Sequence, residues 1–173
     1  MRARAFYKAV TVDEGAALEH LLGLVDRLGA TYCVVGGQAV NAYVDPLVSL
    51  DLDLVVAAAD LERVLAALPA TVRVERFPHS VNLSLPGSDL RVQFQTDPRY
   101  FAFPERASIK PVLGTPMRVA RVEDVLAGKV WAASDETRRA SKRQKDLADI
   151  ARLIERFPEF RQRVPASLLE RLI

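Results

Sequence analysis

The hydrophobic positions change period along the chain, and each period predicts an element. Between Thr11 and Leu28 the residues Leu18, Leu21, Leu22, Val25 and Leu28 recur at helical spacing. Thr11-Val-Asp-Glu14 fits a capping box at the start of that helix, and Gly29 is a plausible stop. Tyr32 to Val35 is a short apolar run, which predicts a buried strand. Gly37 to Val44 is compatible with a short helix opening after Gly36-Gly37. Leu50 to Ala57 alternates: Leu50, Leu52 and Leu54 face one way, Asp51, Asp53 and Val55 the other. Asp60 is placed to cap a helix over Leu61 to Leu68, closed by Pro69. Strand-like runs follow at Val72 to Phe77, Val81 to Leu85 and Leu90 to Gln95. In the last, Leu90, Val92 and Phe94 oppose Arg91, Gln93 and Gln95. Pro86-Gly87-Ser88-Asp89 is a turn signal, so the last two runs are expected to form a hairpin.

The pattern then changes. Residues Asp97 to Met117 carry prolines at 98, 104, 111 and 116 and read as a connecting segment. Helical patterns resume at Val122 to Ala133, Arg139 to Arg156 and Pro158 to Ile173. This order predicts an α+β fold: a mixed β-sheet core flanked by helices over residues 1–105, and a helical segment over 106–173 packed on it. No internal repeat or low-complexity stretch interrupts it.

Composition narrows the class. At 173 residues and 50% hydrophobic, the chain has enough apolar content for a sizeable core. A net charge of +2 does not by itself imply a nucleic-acid binder, although the run from Arg138 to Lys145 is strongly basic. The single cysteine, Cys33, sits in an apolar run and is expected to be a small buried hydrophobe. The amino terminus lacks an apolar signal region, and no stretch is long and apolar enough to span a bilayer. A cytoplasmic protein without membrane association is the expectation. His20 and His79 lack partners at metal-ligand spacing, and no Walker A loop or dinucleotide fingerprint is present. Trp131 reads as core rather than a stacking platform.

Three features carry candidate chemistry. Asp51 and Asp53, two apart on a strand, project from one face. Like charges there are costly unless a cation neutralises them, and Mg²⁺ is typically held by carboxylates together with substrate phosphates. The alternative is the solvated face of an edge strand. Gly36-Gly37 ends a strand and opens a helix, which permits close backbone approach to phosphate; the alternative is a turn with no ligand. Lys129 precedes a helix with Lys145, Asp146 and Asp149 within one turn. Those lysines could neutralise triphosphate charge, or the helix could carry a salt-bridged solvent face.

In combination, G36-G37, S49-L-D51-L-D53, K129 and K145-D146-L-A-D149 resemble the nucleotidyltransferase superfamily with the DNA polymerase β-like palm. Within it they are similar to the minimal bacterial branch that includes abortive-infection and type IV toxin nucleotidyltransferases. The resemblance covers Tyr32 to Ile154. It implies transfer of a nucleoside monophosphate from an NTP to an RNA such as tRNA, a protein or a small molecule, assisted by Mg²⁺ or Mn²⁺. Carried over by position, Asp51 and Asp53 are the catalytic metal-binding acids. Gly36, Gly37 and Ser49 would contact the triphosphate. Lys129 and Lys145 would add positive charge, and Asp146 would orient one of them. Two positions depart from the family pattern: Gln93 stands where a third carboxylate is expected, and Leu47 stands where an arginine is common. Asp89 and Asp97 flank the Gln93 strand only at its ends. Gln93 therefore supports a second reading, a catalytically impaired nucleotide- or partner-binding module with a cognate partner protein in a toxin–antitoxin or defence pair.

Overall fold

A computed structural model describes residues 12–172, with side chains from residue 15 onward. The capping box at Thr11 to Glu14 lies outside the side chains described. The fold is α+β, with helices and seven strands of mixed direction among the described residues. Two compact units share the chain. One takes the chain up to Tyr32 together with Leu50–Glu105; the other takes Cys33–Ser49 and Arg106–Ile173.

In the first unit, helix α1 (Val12–Arg27) buries Leu18, Leu21, Leu22 and Val25, the stripe expected from the sequence. Gly29 stops it at φ 62°, with the amides of Gly29 and Ala30 bonded to Asp26 O and Val25 O at 3.0 Å each. That conformation favours glycine. Strand β2 (Asp51–Val56) leads to α3 (Ala58–Ala67), and strands β3 (Arg73–Phe77), β4 (Ser80–Ser84) and β5 (Arg91–Gln95) follow. Their order is β3-β4-β5-β2. β4 runs antiparallel to β3 and β5, through the expected hairpin, while β2 and β5 are parallel. One sheet face is apolar: Leu52, Leu54, Val81, Leu83, Val92 and Phe94 are all buried. The alternation expected of β2 stops after Leu54, because Val55 and Val56 are both buried. Asp60 does not cap α3. It lies inside the first turn, and its carboxylate accepts from the Thr31 amide at 3.0 Å and from Arg63 at 2.6 Å. These bonds hold it below the usual carboxylate range, the Thr31 amide most of all.

In the second unit, strand β1 (Tyr32–Val35, its first residue excepted) runs into α2 (Gly36–Asn41). Strands β6 (Ser108–Val112) and β7 (Thr115–Val119) form an antiparallel hairpin, and β7 pairs in parallel with β1 at Val34↔Val119. The sequence pattern placed a connecting segment there. Two prolines hide this hairpin, and both fall in one cross-strand pair, Pro111↔Pro116. In a hairpin with a two-residue loop, that second pair exchanges no N–H···O bonds, so proline costs no ladder bond between the two strands. The loop is Leu113-Gly114, with φ 51° and 77°, as a type I′ turn requires.

Helices α4 (Val122–Ser134) and α5 (Ala140–Arg156) pack against each other, and α2 packs on both. Val125, Leu126, Leu147, Ile150 and Leu153 are buried among them, while Trp131 is only half-buried. The last expected helix, Pro158 to Ile173, is broken instead. A 3₁₀ stretch (Pro158–Arg163) and a single turn, α6 (Ala166–Leu169), flank Val164 and Pro165. Proline lacks the helical N–H and biases the preceding residue toward extended backbone.

Candidate active site

The two aspartates stand on the polar face of the first unit's sheet. Period-two alternation on β2 sends Leu52 and Leu54 into the core and leaves Asp51 and Asp53 half-buried on the opposite face. The register then decides their neighbours. Asp51 pairs with Arg91 and Asp53 with Gln93 on β5, and Gln93 pairs in turn with Asn82 on β4. Asp53, Gln93 and Asn82 therefore form one row across three adjacent strands. Nearest strands are ~4.8 Å apart, so neighbouring side chains in the row are within reach of each other.

Arg91 Nε donates to Asp51 Oδ1 at 2.5 Å, and the Asp51 carboxylate raises the Arg91 pKa further. The arginine side chain is 73% exposed. An ion pair so open to water contributes at most about 1 kcal/mol, too little to exclude a divalent cation from Asp51. Among the described residues no group of three or more His, Cys, Asp or Glu could hold a metal. The oxygens here are two carboxylates and the amide oxygens of Gln93 and Asn82. Asn82 Oδ1 is buried without a hydrogen-bond partner. Such hard oxygens suit Mg²⁺ or Mn²⁺, and the uncompensated Asn82 carbonyl is a polar atom a cation or its water would satisfy.

The remaining candidates lie in the second unit. Gly36 adopts φ 67°, a conformation that favours glycine at the β1–α2 junction. Gly37 differs: a Cβ there would meet nothing within 4 Å, so the protein's own packing does not call for glycine. Gln38, 3% exposed, donates from Nε2 to Ser49 O at 2.9 Å. Asn41, one helical turn further, donates from Nδ2 to Leu47 O at 2.7 Å and accepts the Leu47 amide on Oδ1 at 3.0 Å. Ser49 thus sits on a loop held by the amide side chains of Gln38 and Asn41, which belong to no motif in the sequence.

Lys129, on α4, is buried. Its ammonium lies 3.0 Å from Asp146 and 2.8 Å from Asp149, both on α5. Burial alone would lower the lysine pKa; the two carboxylates outweigh it and hold the lysine charged. Arg138 pairs with Asp146 at 2.7 Å, and Arg152 pairs with Asp149 at 2.8 Å. Asp146 therefore bonds Lys129, while Lys145 is exposed on α5. Arg152 also donates from Nη2 to Asn41 Oδ1 at 3.1 Å and to Asp45 O. The spacing of Asp149 and Arg152, three apart on a helix, was the available signal for this extension. Cys33 is fully buried, and burial, reinforced by Asp124, pushes its thiol up to about 12. A thiol so raised carries no nucleophilic chemistry at neutral pH.

No protein of curated function matches this chain. Among solved structures, the antibiotic-resistance factor ANT(2'')-Ia aligns with TM-score 0.55 at 16% identity, covering 92% of this chain and 97% of that one. A nucleotidyltransferase-like protein from Paracoccidioides brasiliensis aligns with TM-score 0.54 at 20% identity, over 84% of this chain and 77% of that one. The lincosamide antibiotic adenylyltransferase LnuA, solved with lincomycin bound, aligns with TM-score 0.52 at 14% identity, over 80% and 96%. At such identities the likeness is one of fold. The family model described as nucleotidyl transferase AbiEii toxin, type IV TA system, matches residues 28–172, well over half of the chain. The chain belongs to the AbiEii nucleotidyltransferase family of type IV toxin–antitoxin systems.

Proposed function

We propose that this protein transfers a nucleoside monophosphate from an NTP to an acceptor in a reaction that depends on Mg²⁺ or Mn²⁺. The observation that carries the reading is the polar sheet face, where Asp51 and Asp53 emerge side by side next to two amide oxygens. Asp51 and Asp53 would hold the metal, with Gln93 as a neutral third oxygen beside Asp53. When bound, the metal supplies Lewis-acid stabilisation of charge on the attacking and leaving oxygens. The chain's own residues orient and neutralise. Gly37 leaves the backbone open to phosphate beside Gly36 with its φ of 67°, and Ser49 would contact the triphosphate from its amide-held loop. Lys129 and Lys145 add positive charge; Lys129 is held charged and oriented by Asp146 and Asp149. Gln93 takes no proton, so it does not deprotonate the attacking hydroxyl. The acceptor class is an RNA such as tRNA, a protein, or a small molecule, as with the lincomycin bound to LnuA. Membership of a toxin–antitoxin family also supports a cognate partner protein.

Gln93 favours one other reading: a module that binds nucleotide or its partner protein without turnover. Each α-labelled NTP, incubated with Mg²⁺ or Mn²⁺ and either tRNA or cell lysate, separates the two. Label transfer that is lost in Asp51→Ala and Asp53→Ala supports the enzyme. NTP binding by calorimetry without transfer supports the module. No NTP or metal binding at all contradicts both.

A further inference from the structure

The loop from Asp45 to Ser49 has almost no apolar anchorage. Leu47 is 56% exposed and Val48 is 70% exposed, yet this loop carries Ser49 and leads two residues later to Asp51. Polar bonds hold it instead. The Asn41 amide grips Leu47 at both backbone atoms, 2.7 Å to its carbonyl and 3.0 Å from its N–H. Gln38 holds Ser49 O at 2.9 Å. Arg152 bridges the Asn41 Oδ1 at 3.1 Å and the Asp45 carbonyl. Arg152 is itself fixed by Asp149 at 2.8 Å, and Asp149 by the buried Lys129 at 2.8 Å. The chain of contacts runs from a buried lysine to an exposed loop, and each link is charged or charge-assisted except the last.

We infer that Asn41 and Arg152 are positioning residues that fix the 45–49 loop and thereby set triphosphate affinity through Ser49. The inference rests on the nucleotide reading above. Its physical basis is the cost of ordering: a loop without buried side chains pays its conformational entropy on each binding event unless something orders it beforehand. Arginine suits the task because its planar fork can reach several oxygens at once, which an ammonium cannot.

The test compares the wild type with Asn41→Ala, Arg152→Ala, Arg152→Lys and the double alanine variant. Three readouts are taken: amide exchange at Leu47 without ligand, NTP affinity by calorimetry, and the split between KM and kcat. Both single alanine variants should speed Leu47 exchange and weaken NTP binding by about tenfold. The loss should appear in KM, with kcat changed by less than about threefold. The double variant should be no worse than the weaker single, since both residues serve one clamp. Arg152→Lys keeps the charge beside Asp149 and should fold with wild-type stability, yet bind NTP like Arg152→Ala. Unchanged NTP affinity in Arg152→Lys and Asn41→Ala, whatever the exchange rates, overturns the inference and leaves the nucleotide reading standing. A wild type that binds no NTP overturns both, and is distinguished by failing before any variant is compared.

Discussion

At the scale of single residues, the buried lysine shows how charge is tolerated in this core. Lys129 would be costly alone; Asp146 and Asp149 compensate it, and Arg138 and Arg152 complete each carboxylate. Lys129→Met should destabilise the protein by about 3 kcal/mol in urea unfolding, because it leaves inward-facing carboxylates short of a partner. The pH dependence has a definite sign. The Lys129 pKa is raised on folding above its ordinary 10.5, so its stabilising contribution is fully present below that value and fades only as pH climbs past it. The stability gap between wild type and Lys129→Met should stay flat from pH 6 to 9. A gap that narrows across that interval would contradict the assignment. The sequence suggested that Asp146 orients a lysine, but not which one. Helical spacing shows which residues share a face of α5; it does not show that Lys129, from another helix, meets that face.

At the scale of elements, the β6–β7 hairpin is the clearest case of a structure hidden from sequence. Four prolines between Asp97 and Met117 argued for a connecting segment, and two of them fall inside the hairpin. Only the register around the Leu113-Gly114 turn makes both acceptable, because it places Pro111 opposite Pro116 in a pair that exchanges no ladder bonds, and composition alone does not show that register. Leu113 is the anomaly at its tip: a bulky residue at φ 51°. A left-handed conformation costs such a residue about 1–2 kcal/mol, and asparagine tolerates it far better. Leu113→Asn should therefore raise stability by about 1 kcal/mol, read as a higher Tm or urea midpoint. A lower Tm would mean that the Leu113 side chain contributes packing that outweighs its backbone strain. Elements governed by local signals fared differently. α1 with its Gly29 stop, the short β1 and the β4–β5 hairpin were each legible because periodicity and turn residues act over a few positions. Asp60 is the opposite case: its partner, the Thr31 amide, is distant in sequence, and no local signal points to it.

At the scale of the whole molecule, the α+β fold and the family were both legible in the chain, the first from element order and the second from G36-G37, D51-L-D53 and K145-D146-L-A-D149. The division into units was not legible. Cys33–Ser49 belongs by contacts with Arg106–Ile173 rather than with its sequence neighbours. Gly36, Gly37, Ser49, Lys129, Lys145 and Asp146 therefore belong to one unit, and Asp51, Asp53 and Gln93 to the other. The network of Gln38, Asn41 and Arg152 was invisible for a related reason. Amides and an arginine carry no motif until the contacts show what they hold. The central claim is that the polar face bearing Asp51 and Asp53 binds a divalent cation together with an NTP. Mn²⁺ binding followed by electron paramagnetic resonance, with a non-hydrolysable NTP present, tests it most directly. The account predicts saturable binding by the wild type that Asp53→Ala weakens by at least about tenfold. Equal Mn²⁺ affinity in the wild type and Asp53→Ala would contradict it.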